Sequence, residues 1–397
     1  MSQRYDVVII GGGPTGSTAA HLLARAGARA LLIEREVFPR FHVGESLLPA
    51  NLALFDTLDV HPQGVAHVRK SGAEFYDELT DRNGTYLFAD SLGGLPDHAY
   101  HVERSVFDLS LLEAASRAGA EVHQGERVTE VDIERGPTVR TNKGSYEARY
   151  VFDASGLDSF FAHANGTRQK LDSFGLGAVF QHFTDLGPTV ADEIAAAGNI
   201  KLIFVEDGWL WAIPLGFGRL SVGFVTRRRG IKRDWLQQAV QGSKEMRRVL
   251  AGARAEGVAR TLASFSFQNL RSYGPRWCCI GDAACFLDPV FSSGVHLGMV
   301  DASRSVEALL PALASDSEHE PELMAGHVKE MKRGYGVFAT LINAIYQRRL
   351  LPDLFFAREQ SPILRQGMTS ILAGDVWRED NVFLDMLWRS KLRYDVS

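Results

Sequence analysis

The chain opens on an apolar, β-branched run, Tyr5–Ile10, and such a run predicts a strand buried on both faces of a parallel sheet. Gly11-Gly12-Gly13-Pro14-Thr15-Gly16 follows at once. Next come an Ala/Leu-rich helix from Ser17 to Ala26, ending at Gly27, and a second strand, Ala28–Ile33, closed by Glu34. Strand, glycine turn, helix and strand in that order predict the first unit of a doubly wound α/β sheet. Pro39 to Pro49 reads as a loop containing Gly44-Glu45-Ser46, followed by a helix through about Leu58. Lys70–Asp81 is strand-like, Arg82–His98 is Gly-rich and irregular, and Glu103–Ala118 is a helix opened by Arg104. Glu121–Gln124, Arg127–Ile133, Thr138–Thr141 and Ser145–Val151 read as a strand and a small antiparallel hairpin. Tyr150–Asp153 reads as a further core strand, turned by Ala154-Ser155-Gly156.

Beyond Phe174 the apolar period falls to two. Phe174–Phe183, Lys201–Val205, Trp209–Pro214 and Arg219–Thr226 alternate as antiparallel strands do. Arg276–Ile280 returns to the core sheet, and Gly294–Leu313 is helical. Ala314–Pro321 reads as a polar, exposed linker, and Leu323–Leu351 with the tail to Ser397 as helical and aromatic-rich. The predicted organisation is a discontinuous nucleotide-binding unit of residues 1–78, 99–172 and 262–320. A substrate-side β unit takes 79–98 and 173–261, and a helical segment takes 321–397.

Composition narrows the class. A chain of 397 residues, 45% hydrophobic and 23% charged, can bury the core of a soluble α/β enzyme. The net charge of −5 offers no basic footprint, so nucleic acid is not an expected partner. No apolar run is long enough to span a membrane, and a first strand beginning at residue 5 leaves no room for a signal peptide. The expected location is cytoplasmic. Cys278, Cys279 and Cys285 lack metal-ligand partners at suitable spacing and read as packing thiols, with no metal site.

The chemistry starts at G-x-G-x-x-G, residues 11–16. In its strand–turn–helix context, Gly11, Gly13 and Gly16 allow a tight turn and close approach to a pyrophosphate. Glu34, at the end of the second strand, can accept ribose hydroxyls. An acidic residue there favours FAD or NAD over NADP. Gly281-Asp282 suits a flavin's ribityl and pyrophosphate. Phe286-x-x-Pro289-x-x-Ser292-x-Gly294 runs into a helix start whose free N–H groups bind anions; Ser292 or Ser293 can cap it. Asp153 ends a strand where a carboxylate could meet the cofactor. Trp209, Trp211 and Ile213 share one face of a strand and form a rigid apolar wall, with Pro214 next in line. Nothing local marks Lys70 as reactive.

Taken together, these residues resemble the flavin-dependent halogenases of the phenol and pyrrole type, within the class I flavoprotein monooxygenases. The likeness runs over roughly residues 5–310. Trp209-x-Trp211-x-Ile213-Pro214 and Phe286-x-x-Pro289-x-x-Ser292-x-Gly294 are its most specific parts. Phe38-Pro39-Arg40, Gly44-Glu45-Ser46, the Arg104–Phe107 helix start and Gly281-Asp282 agree. The resemblance implies a PHBH-like (GR2) FAD fold: a parallel FAD-binding sheet, an inserted antiparallel substrate-domain sheet and a helical C-terminus. It implies that Gly11, Gly13, Pro14, Gly16, Glu34, Arg40, Arg104, Asp153, Asp282, Pro289, Gly294 and Val295 hold FAD, supplied as FADH2. Ser293 and Gly294 would hold chloride or bromide, and O2 would drive formation of hypohalous acid. That acid would pass Trp209, Trp211, Ile213 and Pro214 to Lys70, the catalytic lysine, which transfers halogen to an electron-rich aromatic, free or tethered to a carrier protein.

Two departures refine this. Phe291-Ser292-Ser293 lacks the glutamate of the tryptophan-specific enzymes, which turns the expectation away from free tryptophan as substrate. Asp153-Ala154-Ser155-Gly156 differs from the Asp-Gly of single-component hydroxylases, and favours reduced flavin from a separate reductase. The tail after residue 320 is short for the family. The rival reading is a flavin monooxygenase that oxidises a small molecule or a partner-protein residue without halide. A flavin-dependent alkene reductase fits the double-tryptophan strand poorly, and a non-catalytic flavin-binding protein would leave Lys70 without purpose.

Overall fold

Strand β1 (Arg4–Ile10) sits at the centre of a parallel layer, with Val7, Val8 and Ile9 fully buried. It pairs in parallel with β2 (Ala30–Glu34) on one side and with Ser145–Asp153 on the other. Glu121–Gln124 extends the sheet beyond β2, and Trp277–Cys279 extends it beyond Ser145–Asp153, again in parallel. Helix α1 (Pro14–Arg25) buries Ala19, Ala20 and Leu23 against one face, beside the long helix Ser293–Ala314. The structure is a computed structural model that describes residues 4–61, 67–134, 136–347, 355–356, 361–390 and 393–396.

Four more strands are needed to place the site: β3 (His67–Lys70), β4 (Gly72–Asp77), β5 (Arg82–Leu87) and β6 (Ala99–Val102). Strands β3 and β6 form a separate antiparallel ribbon. Strands β4 and β5 join a mostly antiparallel sheet, β4 pairing in parallel with Ile200–Val205 and antiparallel with β5. Its order from one edge is Arg254–Ala263, Gly177–Thr184, Arg219–Thr226, Gly208–Leu215, Ile200–Val205, β4, β5. Residues 72–77 therefore share a sheet with Ile200–Val205 and its neighbours, whereas the expected division grouped them with residues 1–78. Arg82–Leu87 is an edge strand, not an irregular segment. Ser145–Asp153 is one continuous strand where two were expected.

The strand Gly208–Leu215 sorts its side chains as alternation requires. Trp209, Trp211 and Ile213 join the core cluster beneath the C-terminal helices, while Leu210 and Ala212 pack on the opposite face. Gly223, directly across from Trp211, makes room for its indole; a Cβ there would meet ring atoms at 2.2 Å. The helices Ala325–Tyr346, Pro362–Leu372 and Val382–Arg389 cover this face; residues 348–351 of the predicted helix lie outside the described residues. The segment expected to be an exposed linker carries a buried anchor. Glu318 is 3% exposed and bonds Arg149 at 2.9 Å and Arg276 at 2.6 Å.

Candidate active site

The glycine turn after β1 works by close packing. Gly11 adopts φ +102°, and a Cβ on it would stand 2.4 Å from the Ala154 carbonyl oxygen. A Cβ on Gly16 would stand 2.0 Å from the Gly11 carbonyl oxygen, so α1 seats on this turn only with glycine at both places. Gly13 faces the other way, with Arg40 the nearest group. Glu34 accepts from the Gly12 amide at 2.7 Å and the Glu36 amide at 2.8 Å, which holds its carboxylate at the wall of a large cavity.

That cavity, about 1840 Å³, exceeds the usual small-ligand pocket of roughly 300–1,000 Å³ and joins two chemically different ends. Gly11, Gly13, Pro14, Glu34, Arg40 and Arg104 line the polar end. Phe180, Ile200, Trp209, Trp211, Ile213 and Phe265 line the apolar end, and Asp282, Pro289, Ser293, Gly294 and Val295 also border the cavity. Gly16 and Asp153 are not on its wall. Asp153 is fully buried behind the turn, where its carboxylate accepts from the amides of Ser155 at 3.0 Å and Phe161 at 2.8 Å. Pro214 is off the wall as well, because alternation turns it away from the face of Trp211 and Ile213.

Asp108, which the sequence reading missed, organises the two arginines. It is wholly buried and takes a bidentate bond from Arg104, at 2.6 and 2.9 Å, plus one from Arg40 at 3.2 Å. Arg104 also donates to the carbonyls of Val43 and Gly44, tying the 43–46 segment to the same centre. The i, i+4 spacing of Arg104 and Asp108 on one helix was the available signal. Next along, Glu45 accepts from His182 at 2.7 Å, and Arg219 contacts the other His182 nitrogen at 3.0 Å. An arginine donates only, so His182 Nδ1 accepts and Nε2 carries the hydrogen.

At the start of the long helix, Ser292 has φ 56° and its side chain makes no cap bond, contrary to the expectation for this serine. Asp288 instead caps the start of the short turn Pro289–Phe291 that precedes the helix, accepting from the Val290 amide at 3.2 Å. Asp288 also accepts from Tyr346 at 2.6 Å, and Trp209 Nε1 donates to Tyr346 at 3.2 Å. One hydroxyl thus couples the tryptophan wall to the Pro289 turn. Burial pushes the Asp288 and Asp282 carboxyls up to about 6. A Cβ on Gly294 would lie 3.7 Å from Asp282 Oδ1, so these two motifs meet at the cavity. The first amides of the helix, at Ser293–Val295, have no intrahelical acceptors.

Lys70 lies off the cavity wall, at the end of β3, on a ribbon packed against the strand that carries both tryptophans. It is 2% exposed; Nζ donates to the Leu47 carbonyl at 3.0 Å and stands 5.3 Å from the Phe88 ring centre. Burial lowers its pKa to about 7, so the amine is poised to carry or release a proton near neutrality.

Residues 88–363 match the tryptophan halogenase family, and residues 6–169 match the FAD-dependent oxidoreductases. The chain belongs to the tryptophan halogenase family. It is 32% identical over 82% of its length to a tryptophan 2-halogenase of Chondromyces crocatus, of which it spans 66%. It is 29% identical over 94% of its length to a 1H-pyrrole-2-carbonyl-[peptidyl-carrier protein] chlorinase of Pseudomonas fluorescens, of which it spans 90%. In three dimensions it resembles the myxobacterial chondrochloren halogenase, with TM-score 0.79, 30% identity and coverage of 96% and 92% of the two chains. A flavoprotein/dehydrogenase of Cytophaga hutchinsonii superposes with TM-score 0.85 at 27% identity over 96% of each chain. Among the described residues no helix is long and apolar enough to cross a membrane, and no cluster of His, Cys, Asp and Glu could hold a metal ion.

Proposed function

We propose that this protein is an FADH2- and O2-dependent halogenase that chlorinates or brominates an electron-rich aromatic, a phenol or a pyrrole. The observation that carries this reading is Lys70: a dry amine with a single backbone acceptor, set off the cavity wall beside the tryptophan strand. The donor set at the polar end of the cavity fits FAD. Gly11, Gly13, Pro14 and Gly16 shape the approach, with Asp153 bracing the turn from behind. Glu34 would hold the ribose and the paired Arg40 and Arg104 the phosphates. Asp282, Pro289, Gly294 and Val295 would hold the ring end. Bound as FADH2 with O2, the cofactor supplies the oxidising equivalents that convert chloride or bromide to hypohalous acid.

The chain's own residues do the rest. Amides near Ser293 and Gly294 hold the halide at the free end of the long helix. Trp209, Trp211 and Ile213, with Pro214 behind them on the opposite face of the strand, keep the arene away from the cofactor and shed water. Lys70 receives the hypohalous acid; the amine controls a proton at its oxygen while the halogen passes to carbon. Two partners follow. A separate flavin reductase supplies FADH2, and the aromatic arrives free or on a carrier protein, as the pyrrole chlorinase relative supports. Three buried free thiols suit a reducing cytoplasm.

The test reconstitutes the protein with FADH2, O2 and chloride or bromide, and offers a panel of phenols and pyrroles. Wild type should halogenate members of the panel. Lys70→Ala should bind FAD and oxidise halide normally while halogenated arene falls by about a hundredfold or more. Arene halogenation that survives in Lys70→Ala, or an oxygen reaction indifferent to halide, refutes the proposal.

A further inference from the structure

Strand β6 lies between two antiparallel neighbours. On one side Lys70 pairs with Ala99 and Val68 with His101; on the other Ser46 bridges His101. Paired residues share a face and alternate residues return to it, so Ser46, His101 and Lys70 project to the same side of this ribbon. All three are buried, at 4%, 0% and 2% exposure. His101 Nε2 lies 3.0 Å from the Gly198 carbonyl oxygen. A carbonyl only accepts, so Nε2 carries the hydrogen and Nδ1 presents a lone pair. That lone pair and the Ser46 hydroxyl are shut away from solvent with no hydrogen-bond partner among the described residues. Unmet buried polar atoms are costly, so two of them on the face that carries a buried amine call for an occupant. Lys70 Nζ has hydrogens to spare after Leu47, and its charge is felt at His101. Ser46 borders the large cavity; His101 and Lys70 do not.

We propose that Ser46 and His101 complete the Lys70 site by holding one small hydroxyl-bearing molecule, water at rest and hypohalous acid in turnover, with its O–H donated to His101 Nδ1 and its oxygen facing the Lys70 amine. This rests on the assignment of Lys70 above and adds a positioning residue to it. With both ends of the O–H held, the halogen is the free end and points out of the site. In the transfer HO–X + Ar–H → Ar–X + H2O, the O–X bond breaks, the C–X bond forms, and the arene's proton is balanced by protonation of the departing hydroxide to water. Ser46 borders the cavity and shares a ribbon face with Lys70, so it stands between the two.

Two substitutions separate the nitrogens of the ring. His101→Gln can keep a donor for Gly198 and loses the Nδ1 lone pair; His101→Asn sets an oxygen near Nδ1 and gives up the Gly198 bond. Lysine-selective 15N NMR of the FAD-loaded protein, with Lys70 identified by its absence in Lys70→Met, reads the titration midpoint of this amine. The proposal requires His101→Gln to lower the midpoint by about half a pH unit or more, and His101→Asn to stay much nearer wild type. In turnover, His101→Gln should oxidise halide at the wild-type rate and release several-fold more free hypohalous acid to a chemical trap. Equal effects of the two substitutions on the midpoint, or no effect from either, overturn the assignment. Ser46→Ala leaves the His101–Gly198 bond alone and should raise trapped acid in the same way; an unchanged yield counts against the site even if neither His101 variant folds. Absence of halide oxidation in the wild type would instead sink the halogenase reading, and the midpoint comparison would still decide the role of His101.

Discussion

Lys70→Met replaces a buried amine by an apolar chain of similar length, and its effect on stability follows from the site. The amine is 2% exposed, and burial brings its pKa from 10.5 down to about 7. Below pH 7 both folded and unfolded chains carry the proton, and the folded state bears the whole cost of a buried charge. A gap of about 3.5 units at 1.36 kcal/mol each is on the order of 5 kcal/mol. Losing the bond to Leu47 removes about 1 kcal/mol, so near pH 6 the variant should be more stable by roughly 3–4 kcal/mol. Between pH 7 and 10.5 the unfolded chain binds more protons than the folded one, so wild-type stability rises with pH. The advantage of the variant should therefore shrink by roughly 2–3 kcal/mol from pH 7 to pH 9. Urea unfolding of both proteins across this range, followed by tryptophan fluorescence, measures it. A gap that does not change with pH, or a variant less stable throughout, would mean that the amine is open to bulk water or paired with a carboxylate, and the chemistry assigned to Lys70 would lose its basis.

Gly223→Ala puts a Cβ 2.2 Å from the Trp211 ring, so the indole must move; a loss of about 1–3 kcal/mol in thermal unfolding is expected, and an unchanged Tm would show that Trp211 is not pinned there. Asp108→Asn weakens the shared anchor of Arg40 and Arg104. The Kd for FAD, read by flavin fluorescence, should rise about tenfold to a hundredfold, and an unaltered Kd would refute the anchoring role. Tyr346→Phe removes the 2.6 Å donor to Asp288 and the acceptor of Trp209. The halide concentration for half-maximal oxidation should rise roughly three- to tenfold with FAD affinity intact, whereas parallel losses in both would point to general unfolding of the turn.

Several elements could be read locally, because local rules dictate them. A strand covered on both faces must be apolar throughout, which marks β1 and β2, and the turn between them admits only glycine where Gly11 and Gly16 touch neighbouring backbone. The strand carrying Trp209 and Trp211 shows its period of two because one face must fill the core of the C-terminal helices. The edge strands were opaque for the opposite reason. Arg82–Leu87 and Arg254–Ala263 close the two ends of the antiparallel sheet, are mostly exposed, and need little apolar patterning.

The motifs of a flavin-dependent halogenase were therefore written in the chain itself, as short-range requirements of turns, strands and a helix start. What the tertiary structure alone decided is which polar groups become dry and which of them meet. Glu318 sits in a polar stretch and is buried only because Arg149 arrives from a core strand and Arg276 from the turn before Trp277. Asp108 gathers Arg40 from a distant loop, and Lys70 is dried by Leu47, Phe88 and Ala99 rather than by its own neighbours Arg69 and Ser71. Protonation, desolvation and hydrogen-bond satisfaction depend on neighbours supplied by folding, so no reading of the chain along its length could have set them.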